Sequence, residues 1–560
     1  MTGSSPTGKD VMDRHPIADS MIKRICSGRF IGLIMYFIAC STYLTAEIAR
    51  AEQTGQDAQV IAHWNVVPFQ AIDAPFNVGV VAFHINGIDR VEFQINGGEI
   101  RNITEMSHNP RTGTSEYWTT VDPTEIGAID PREPLIEIRA TAFPKKAGLK
   151  RELPRISLNV KAADGRQDAK VWVSGNGDDV RGDGSESKPF RQPARALRLL
   201  KEVEDRRNDA VFGTIYLKKG NYIWGSAGEP SPTADTRWVN ISAAPGVKPD
   251  DVMFMSTKGG RFQPLLLKIT GASFESISVT PSKNKVSQLW LENSNIYGAG
   301  PWEGEAFYHG SNWQGLYFTN VFISDFVNGA THLTLARNVT VSNIGSDAFS
   351  GTRLVVNSEV NGIDRGETQF HPDVYQIYCG RKSLENFIVY GLVARDAEAQ
   401  GIFSGGCSSL DNVAVVNALL VRPLFSNQPL LSQWNVKSNH LILSGITMPN
   451  STFLWRNNDV RNVLIEGSVF YRLSTTSKGY GFEEGAISSR HNHIIDTRGT
   501  GMRVNDTDIT TGDAGFVDDD KGDFRPVPGS PLRNRIDNPF SAVDAMGQPR
   551  KVPSSIGALE

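Results

Sequence analysis

Asn338-Val-Thr-Val-Ser-Asn343, Thr352-Arg-Leu-Val-Val-Asn357, Asn386-Phe-Ile-Val-Tyr-Gly391 and Asn412-Val-Ala-Val-Val-Asn417 are the runs whose reading decides the fold. Each is a short β-branched stretch closed by Asn or Gly, and Asn439-His-Leu-Ile-Leu-Ser444 and Asn462-Val-Leu-Ile-Glu-Gly467 continue the series. A second short run follows several of them, opening at Asp347, Asp373 or Gln400. From Asn386 the restarts at Asn412, Asn439 and Asn462 are 26, 27 and 23 residues apart. A regular period of this size means stacked repeats, and a strand-rich repeat of this length is one turn of a parallel β-helix.

The rhythm breaks once. The restart from Asn338 to Thr352 is short and that from Thr352 to Asn386 is long, with the extra residues in Asn361-Gly-Ile-Asp-Arg-Gly-Glu-Thr-Gln-Phe-His371. This insertion gathers Asp364, Arg365, Glu367 and His371 just ahead of Asp373, and the following coils add Arg381, Lys382, Arg395, Asp396 and Glu398. Asp347 and Asp373 both open the second run of neighbouring coils, so in register they stand roughly 4.8 Å apart, one strand spacing. Two carboxylates that close repel, and either one takes up a proton or a cation binds between them. The functional reading is a calcium site built from Asp347, Asp373 and Glu398, or an acid/base pair. The plainer one is a pair of turn-forming Asp residues satisfied by backbone N–H groups.

A mixture of basic and acidic groups on one irregular coil suits cleavage of an acidic polysaccharide. A lyase neutralises the uronate carboxylate, with calcium or Arg, and then removes the C5 proton with a base. The catalytic candidates are Asp373, His371, Arg365, Asp347 and Arg395. Gln376, Arg381 and Gln400 are candidate substrate contacts. A hydrolase would instead use two carboxyl groups about 5–10 Å apart across the bond, with Asp347 and Asp373 or Asp373 and Glu398 as the pairs available. Charged residues on a solenoid exterior are also ordinarily just solvated. Upstream, Gly298-Ala-Gly-Pro-Trp302 to Trp313 is rich in aromatics, and Trp302, Tyr308 and Trp313 either stack on sugar rings or pack their loop onto the coil. Asn320, Asn343, Asn357 and Asn417 read as one ladder, because Asn tolerates a left-handed turn and stacked amides hydrogen-bond from coil to coil.

Outward from this block, Lys23, Arg24 and Arg29 precede the apolar run Phe30 to Ala39, and Ala49-Arg-Ala51 follows. A positive segment, an apolar segment and a small-residue cleavage site in that order are an export signal within residues 1–51, cleaved or retained as an anchor. The apolar run is short for a membrane span, which needs about 20 residues. Residues 58–161 change character: Val78 to Phe83, Val91 to Ile95, Tyr117 to Val121, Leu135 to Ala142 and Ile156 to Val160 read as strands, with Asn86-Gly87 and Asn96-Gly97 as hairpin turns. These predict a β-sandwich. The string from Val81 to Gly97 resembles the Ig-like accessory modules of secreted bacterial proteins, which implies a spacer or binder.

After a polar linker at 162–169 come Val171-Trp-Val-Ser-Gly-Asn-Gly-Asp178, Gly182-Asp-Gly-Ser185, Lys188-Pro-Phe190 and Ala194-Arg-Ala-Leu197. This strand, Gly/Asp turn, Pro-Phe and helix resemble the entry of secreted right-handed β-helix proteins of the pectate-lyase-like superfamily. The closing stretch, Gly522 to Leu532 with Asp544 to Arg550 and Ile556 to Glu560, resembles the end of the same proteins. The resemblance implies an all-β chain whose residues 170–560 form a right-handed parallel β-helix, capped at its start by a helix carrying Leu197, Leu199, Leu200 and Val203. The paired-Asp and Arg-Ile-Lys strings of polygalacturonases and the Arg-Pro-Lys-like string of pectate lyases are not found, so no catalytic residue carries over from the family.

The 560 residues allow more than one domain, with a net charge of only −4, 21% charged and 39% hydrophobic residues. No basic excess points to nucleic acid. Among four cysteines, Cys379 and Cys407 lie one coil apart and are either a disulfide or a buried thiol pair. No zinc-type spacing occurs. The expectation is thus an exported, monomeric protein acting on an acidic polysaccharide, with calcium as the one candidate cofactor. A glycoside hydrolase or a non-catalytic glycan-binding or structural β-helix are the alternatives, and membrane contact comes only through the leader.

Overall fold

A computed structural model describes residues 55–126, 135–161, 169–207, 213–223, 236–255, 266–279, 287–301, 303–309, 313–366, 371–378, 382–421, 431–456, 459–475, 485–498 and 504–560. They belong to one compact unit, Gly55–Glu560. The leader at 1–51 lies outside the described residues, among which no helix is long and apolar enough to cross a membrane.

Two sheets come first, antiparallel except where Ala71–Ile72 runs parallel to Ile156–Val160. Ile61–Trp64, Phe76–Phe83, Thr114–Val121 and Ser107–Asn109 form one; Ala71–Ile72, Ile156–Val160, Leu135–Pro144, Ile88–Ile95 and Ile100–Ile103 form the other, with Arg151–Glu152 beside Leu135–Pro144. Val78, Val80 and Ala82 from the first sheet meet Val91, Phe93, Ile136 and Ile138 from the second in one core. This is the expected sandwich. Its Asn96-Gly97 turn has φ of 48° and 71°, the doubly left-handed form that joins two twisted strands without splaying them.

From Ala169–Val173 onward every ladder of the large sheet is parallel, and each strand pairs with a strand one coil away, through to His493–Arg498. A single apolar core runs the length of this solenoid, from Val171 to Ile494. The predicted parallel β-helix is therefore present, after its sandwich. The helix α1 (Pro193–Arg207) lays Ala196, Leu197 and Leu200 onto the first coil, where an open solenoid would expose its core. Its entry loop needs glycine: a Cβ on Gly177 would stand 2.2 Å from the Phe190 carbonyl oxygen.

Left-handed corners turn the coils. One column passes through Asn293, Asn320, Asn338, Asn357, Gly391 and Asn417, all with φ between 47° and 70°. Asn338 donates to Asn320 Oδ1 at 2.9 Å and Asn320 to Asn293 Oδ1 at 3.0 Å, so the expected amide ladder exists. Asn343 is not in it. It belongs to a second column with Asp325 and Gly362. The run Asn338 to Asn343 likewise lies on a different face from Asn386 to Gly391, because both faces are bounded by left-handed Asn or Gly and look alike in sequence. The long coil is real. Ala336 pairs with Val355, 19 residues on, whereas Leu354 pairs with Ile388, 34 residues on.

The sandwich is docked along the solenoid rather than tethered to it. Ile61, Val81, Phe83 and Ile85 pack on Trp290, Tyr317, Leu354, Tyr390 and Ile442 from successive coils. A third left-handed column, Asn386, Asn412, His440 and Asn462, meets the sandwich with its side chains. Asn386 accepts from the Ala62 N–H and donates to the Ala62 carbonyl, both at 3.0 Å, as a neighbouring strand would. It thereby satisfies backbone groups at the edge of Ile61–Trp64, the liability of any sheet edge.

Candidate functional site

The long coil brings Asp373 against Asp347. Phe349 pairs with Tyr375 and Asp373 with Gln400, so Asp347, Asp373 and Gln400 stack on three successive coils at one corner. Side chains alternate along a strand, and Asp373 shares the inward side of its strand with core residues Tyr375 and Ile377. It is 1% exposed, whereas Asp347 is half-buried. The Asp373 N–H donates to Asp347 Oδ1 at 3.2 Å. One turn-type reading of these residues is therefore correct in part: Asp347 does accept a backbone N–H.

That bond does not satisfy the stack. Asp373 Oδ1 and Gln400 Oε1 are both buried acceptors without a donor. Burial raises both carboxyl groups, Asp347 to about 7 and Asp373 to about 9, Asp373 further because the Asp347 charge faces it. One proton on Asp373 relieves the repulsion and supplies the donor that the neighbouring oxygens lack. At neutral pH the corner holds a protonated, buried Asp373 beside a half-buried Asp347 poised between its two forms.

Asn328 extends the stack by one coil: its Oδ1 accepts from the Asp347 N–H at 3.3 Å. The sequence carries a signal for this stack. Asn328-Gly-Ala330, Asp347-Ala-Phe349, Asp373-Val-Tyr375 and Gln400-Gly-Ile402 each place a polar residue two positions before a core residue.

The other candidates are spread more widely. His371 is exposed and stands two residues before Asp373, and Arg365 is exposed on the same coil. Gln376 follows on the strand, its amide oxygen 3.4 Å from Ser350 Oγ. Arg395 lies on a different face, where it pairs in register with Asn361 and donates to the Gly522 carbonyl at 3.1 Å in the C-terminal segment. Glu398 is exposed. Among the described residues no group of three His, Cys, Asp or Glu side chains gathers as a metal cluster, so Asp347, Asp373 and Glu398 do not converge as a triplet. Trp302, Arg381, Glu367 and Cys379 lie outside the described residues. Tyr308 falls in the strand Phe307–His309 and Trp313 opens Trp313–Phe326. Cys407 is disulfide-bonded.

The fold and the corner define a parallel β-helix protein with a docked β-sandwich and a buried carboxyl pair stacked across two successive coils, Asp347 on the 19-residue coil and Asp373 on the 34-residue coil that follows it. Comparison with protein families, with curated proteins and with solved structures finds no match.

Proposed function

We propose that the protein is an exported enzyme that cleaves an acidic polysaccharide by β-elimination at the Asp347–Asp373 corner. The observation that carries this reading is the carboxyl pair stacked where the 34-residue coil carrying Asp373 lies on the coil carrying Asp347. Asp347 reaches the surface. In its neutral form it donates a hydrogen bond to a uronate carboxylate, which lets negative charge build at C5 as the proton leaves. Burial raises its proton affinity, and Asp373 sits behind it with its backbone N–H offsetting part of that rise. Exposed His371 is the base and exposed Arg365 the second contact to the carboxylate. Gln376 and Gln400, with Arg381, Trp302, Tyr308 and Trp313, are the substrate contacts of this reading, and Arg395, on a different face, is not among them.

Calcium stays within this reading as an alternative neutralising group. Asp347, Asp373 and Gln400 offer oxygen donors of the kind calcium takes, and the unpartnered Asp373 Oδ1 and Gln400 Oε1 fit such a role as well as they fit a proton. The likeness of the entry and closing segments to the pectate-lyase-like superfamily, the Ig-like character of the sandwich and the leader's export signal support the same assignment. A working monomer is expected.

The test is incubation of the mature protein with uronans, sulfated glycans and neutral glycans, with calcium or with a chelator. New absorbance of an unsaturated uronate supports elimination. New reducing ends without it make the protein a hydrolase, with Asp347 and Asp373 as the acid and base. Binding without turnover across the panel leaves a glycan-binding solenoid and ends the enzyme reading.

A further inference from the structure

The sandwich and the solenoid meet through two histidines that face each other. His84 follows the strand Phe76–Phe83, and His440 occupies the third left-handed column with φ 62°. Both are fully buried, and their ring centroids are 4.7 Å apart.

Hydrogen bonding fixes both rings as neutral. His84 Nδ1 accepts the Asn86 N–H at 3.1 Å, leaving Nε2–H to donate to the Ala58 carbonyl at 3.1 Å. His440 Nε2 accepts the Ile85 N–H at 3.2 Å across the interface, leaving Nδ1–H to donate to the Gln59 carbonyl at 2.8 Å, with Asn412 Oδ1 at 3.0 Å. A second proton on either ring would point an N–H at a backbone N–H. Protons on both would set two cations in contact inside an apolar seam.

The surrounding charges do not compensate. Every hydrogen-bond partner of the two rings is neutral. Arg151 of the sandwich approaches from the same side, held by the Val60 carbonyl and by Glu385 of the solenoid, 3.7 Å away. Asp57 and Arg461 pair with each other at 3.1 Å, and Asp411 accepts from the Asn439 N–H at 2.9 Å. His63, beside Arg353 and Arg151, lies on the same seam, where Nε2 contacts the Asn386 carbonyl at 2.7 Å.

We propose that the His84–His440 contact is an acid-sensitive latch that releases the sandwich from the solenoid when both rings take up a proton. At neutral pH the two neutral rings, tilted 55° to each other, close the seam. Acid inserts two like charges and two opposed donors at the point where the Ile85 N–H is held. The Asn386–Ala62 pairing and the His63 contact to the Asn386 carbonyl then hold the edge strand without it. Burial, which holds His440 down at about 3 and lowers His84, agrees with this arrangement.

The experiment is hydrogen exchange on the whole protein from pH 7 to pH 4.5, with protection at the Ala62 and Ile85 amides corrected for the intrinsic rate. Each buried ring that must be neutral in the docked state costs about a factor of ten in protection per pH unit below its free pKa. His84 and His440 together give roughly 100-fold per unit and His63 on the same seam adds up to about another factor of ten, while Val80 within the sandwich and Val389 within the solenoid keep their protection. His440→Asn is the matched variant, since Asn is the residue at the column's other corners and tolerates the left-handed backbone. It lowers the slope by one power of ten per unit, and adding His84→Gln lowers it by another. Protection in the wild type that does not fall below pH 6.5 overturns the latch. A slope left unchanged by His440→Asn, which can be read without the double variant, overturns it equally.

Discussion

The backbone N–H of Asp373 donates to Asp347 Oδ1 across adjacent coils at 3.2 Å, while the buried Oδ1 of Asp373 finds no donor. Two acidic side chains are thus held in register at a corner where water is scarce. The stability of the protein must depend on their protons.

The sign follows from the direction of the shifts. Both carboxyl groups bind their protons more tightly in the folded chain than in the unfolded one, with values about 7 and about 9. Their contribution is fully present below the ordinary carboxylate range near 4 and is lost as pH rises through 7 and 9. Between pH 5.5 and pH 8.5 the wild type loses about 6 kcal/mol, some two thirds of it through Asp373. Asp373→Asn keeps the shape, carries no proton to lose, and gives a much flatter profile. Urea unfolding of both proteins at the two pH values checks this; parallel losses would mean that the pair is not protonated.

Asn386 tests the seam between the sandwich and the solenoid. Its amide makes two hydrogen bonds to Ala62, and its backbone sits at φ 66°. Asn386→Gly removes the bonds but suits the corner and costs about 1–3 kcal/mol. Asn386→Ala removes the bonds and strains the backbone, adding about 1 kcal/mol. Equal losses in chemical denaturation would show that the corner tolerates a Cβ without strain.

Gly391 makes the opposite point. Its column neighbours Asn357 and Asn417 invite Asn there. Yet a Cβ at Gly391 would stand 2.7 Å from Asn357 Oδ1. The Asn357 amide is engaged with the sandwich, donating to the Gly113 carbonyl at 3.1 Å. Gly391→Asn therefore destabilises, by about 1–3 kcal/mol, even though it completes the pattern. A neutral or stabilising result would refute the claim that Asn357 holds the sandwich.

The solenoid was legible because its signals are local. β-branched runs, left-handed Asn and Gly, and the Gly/Asp entry loop each report the backbone around them. The sequence also marked the long coil and the Asp347–Asp373 register. Assignment of strands to faces was less legible, since Asn338 to Asn343 and Asn386 to Gly391 share a pattern and differ only in which coil they stack on. His440 was hidden for a related reason: Asn439 beside it looked like the corner residue. The sandwich's docking was not legible, because the apolar outer faces of Trp290 or Tyr390 read as core until the fold shows which side they take. Arg395 likewise sits among charges in sequence and across a coil from them in space.

Asp347 gives the most discriminating test of the proposed elimination. If its neutral carboxyl neutralises the uronate, activity falls as pH rises above about 7, where Asp347 loses its proton. Asp347→Asn keeps a neutral donor at every pH. It retains activity and loses the falling limb of the pH profile, so at pH 8.5 it matches or exceeds the wild type. Asp347→Ala has no donor and drops turnover by about 100-fold throughout. His371→Ala removes the base and lowers kcat by about 100-fold or more with little change in KM. The measurement is release of unsaturated uronate from the best substrate between pH 5 and pH 9. If Asp347→Asn is as inactive as Asp347→Ala, the carboxyl acts in its charged form. Asp347 is then the base, and His371 has no place in proton removal.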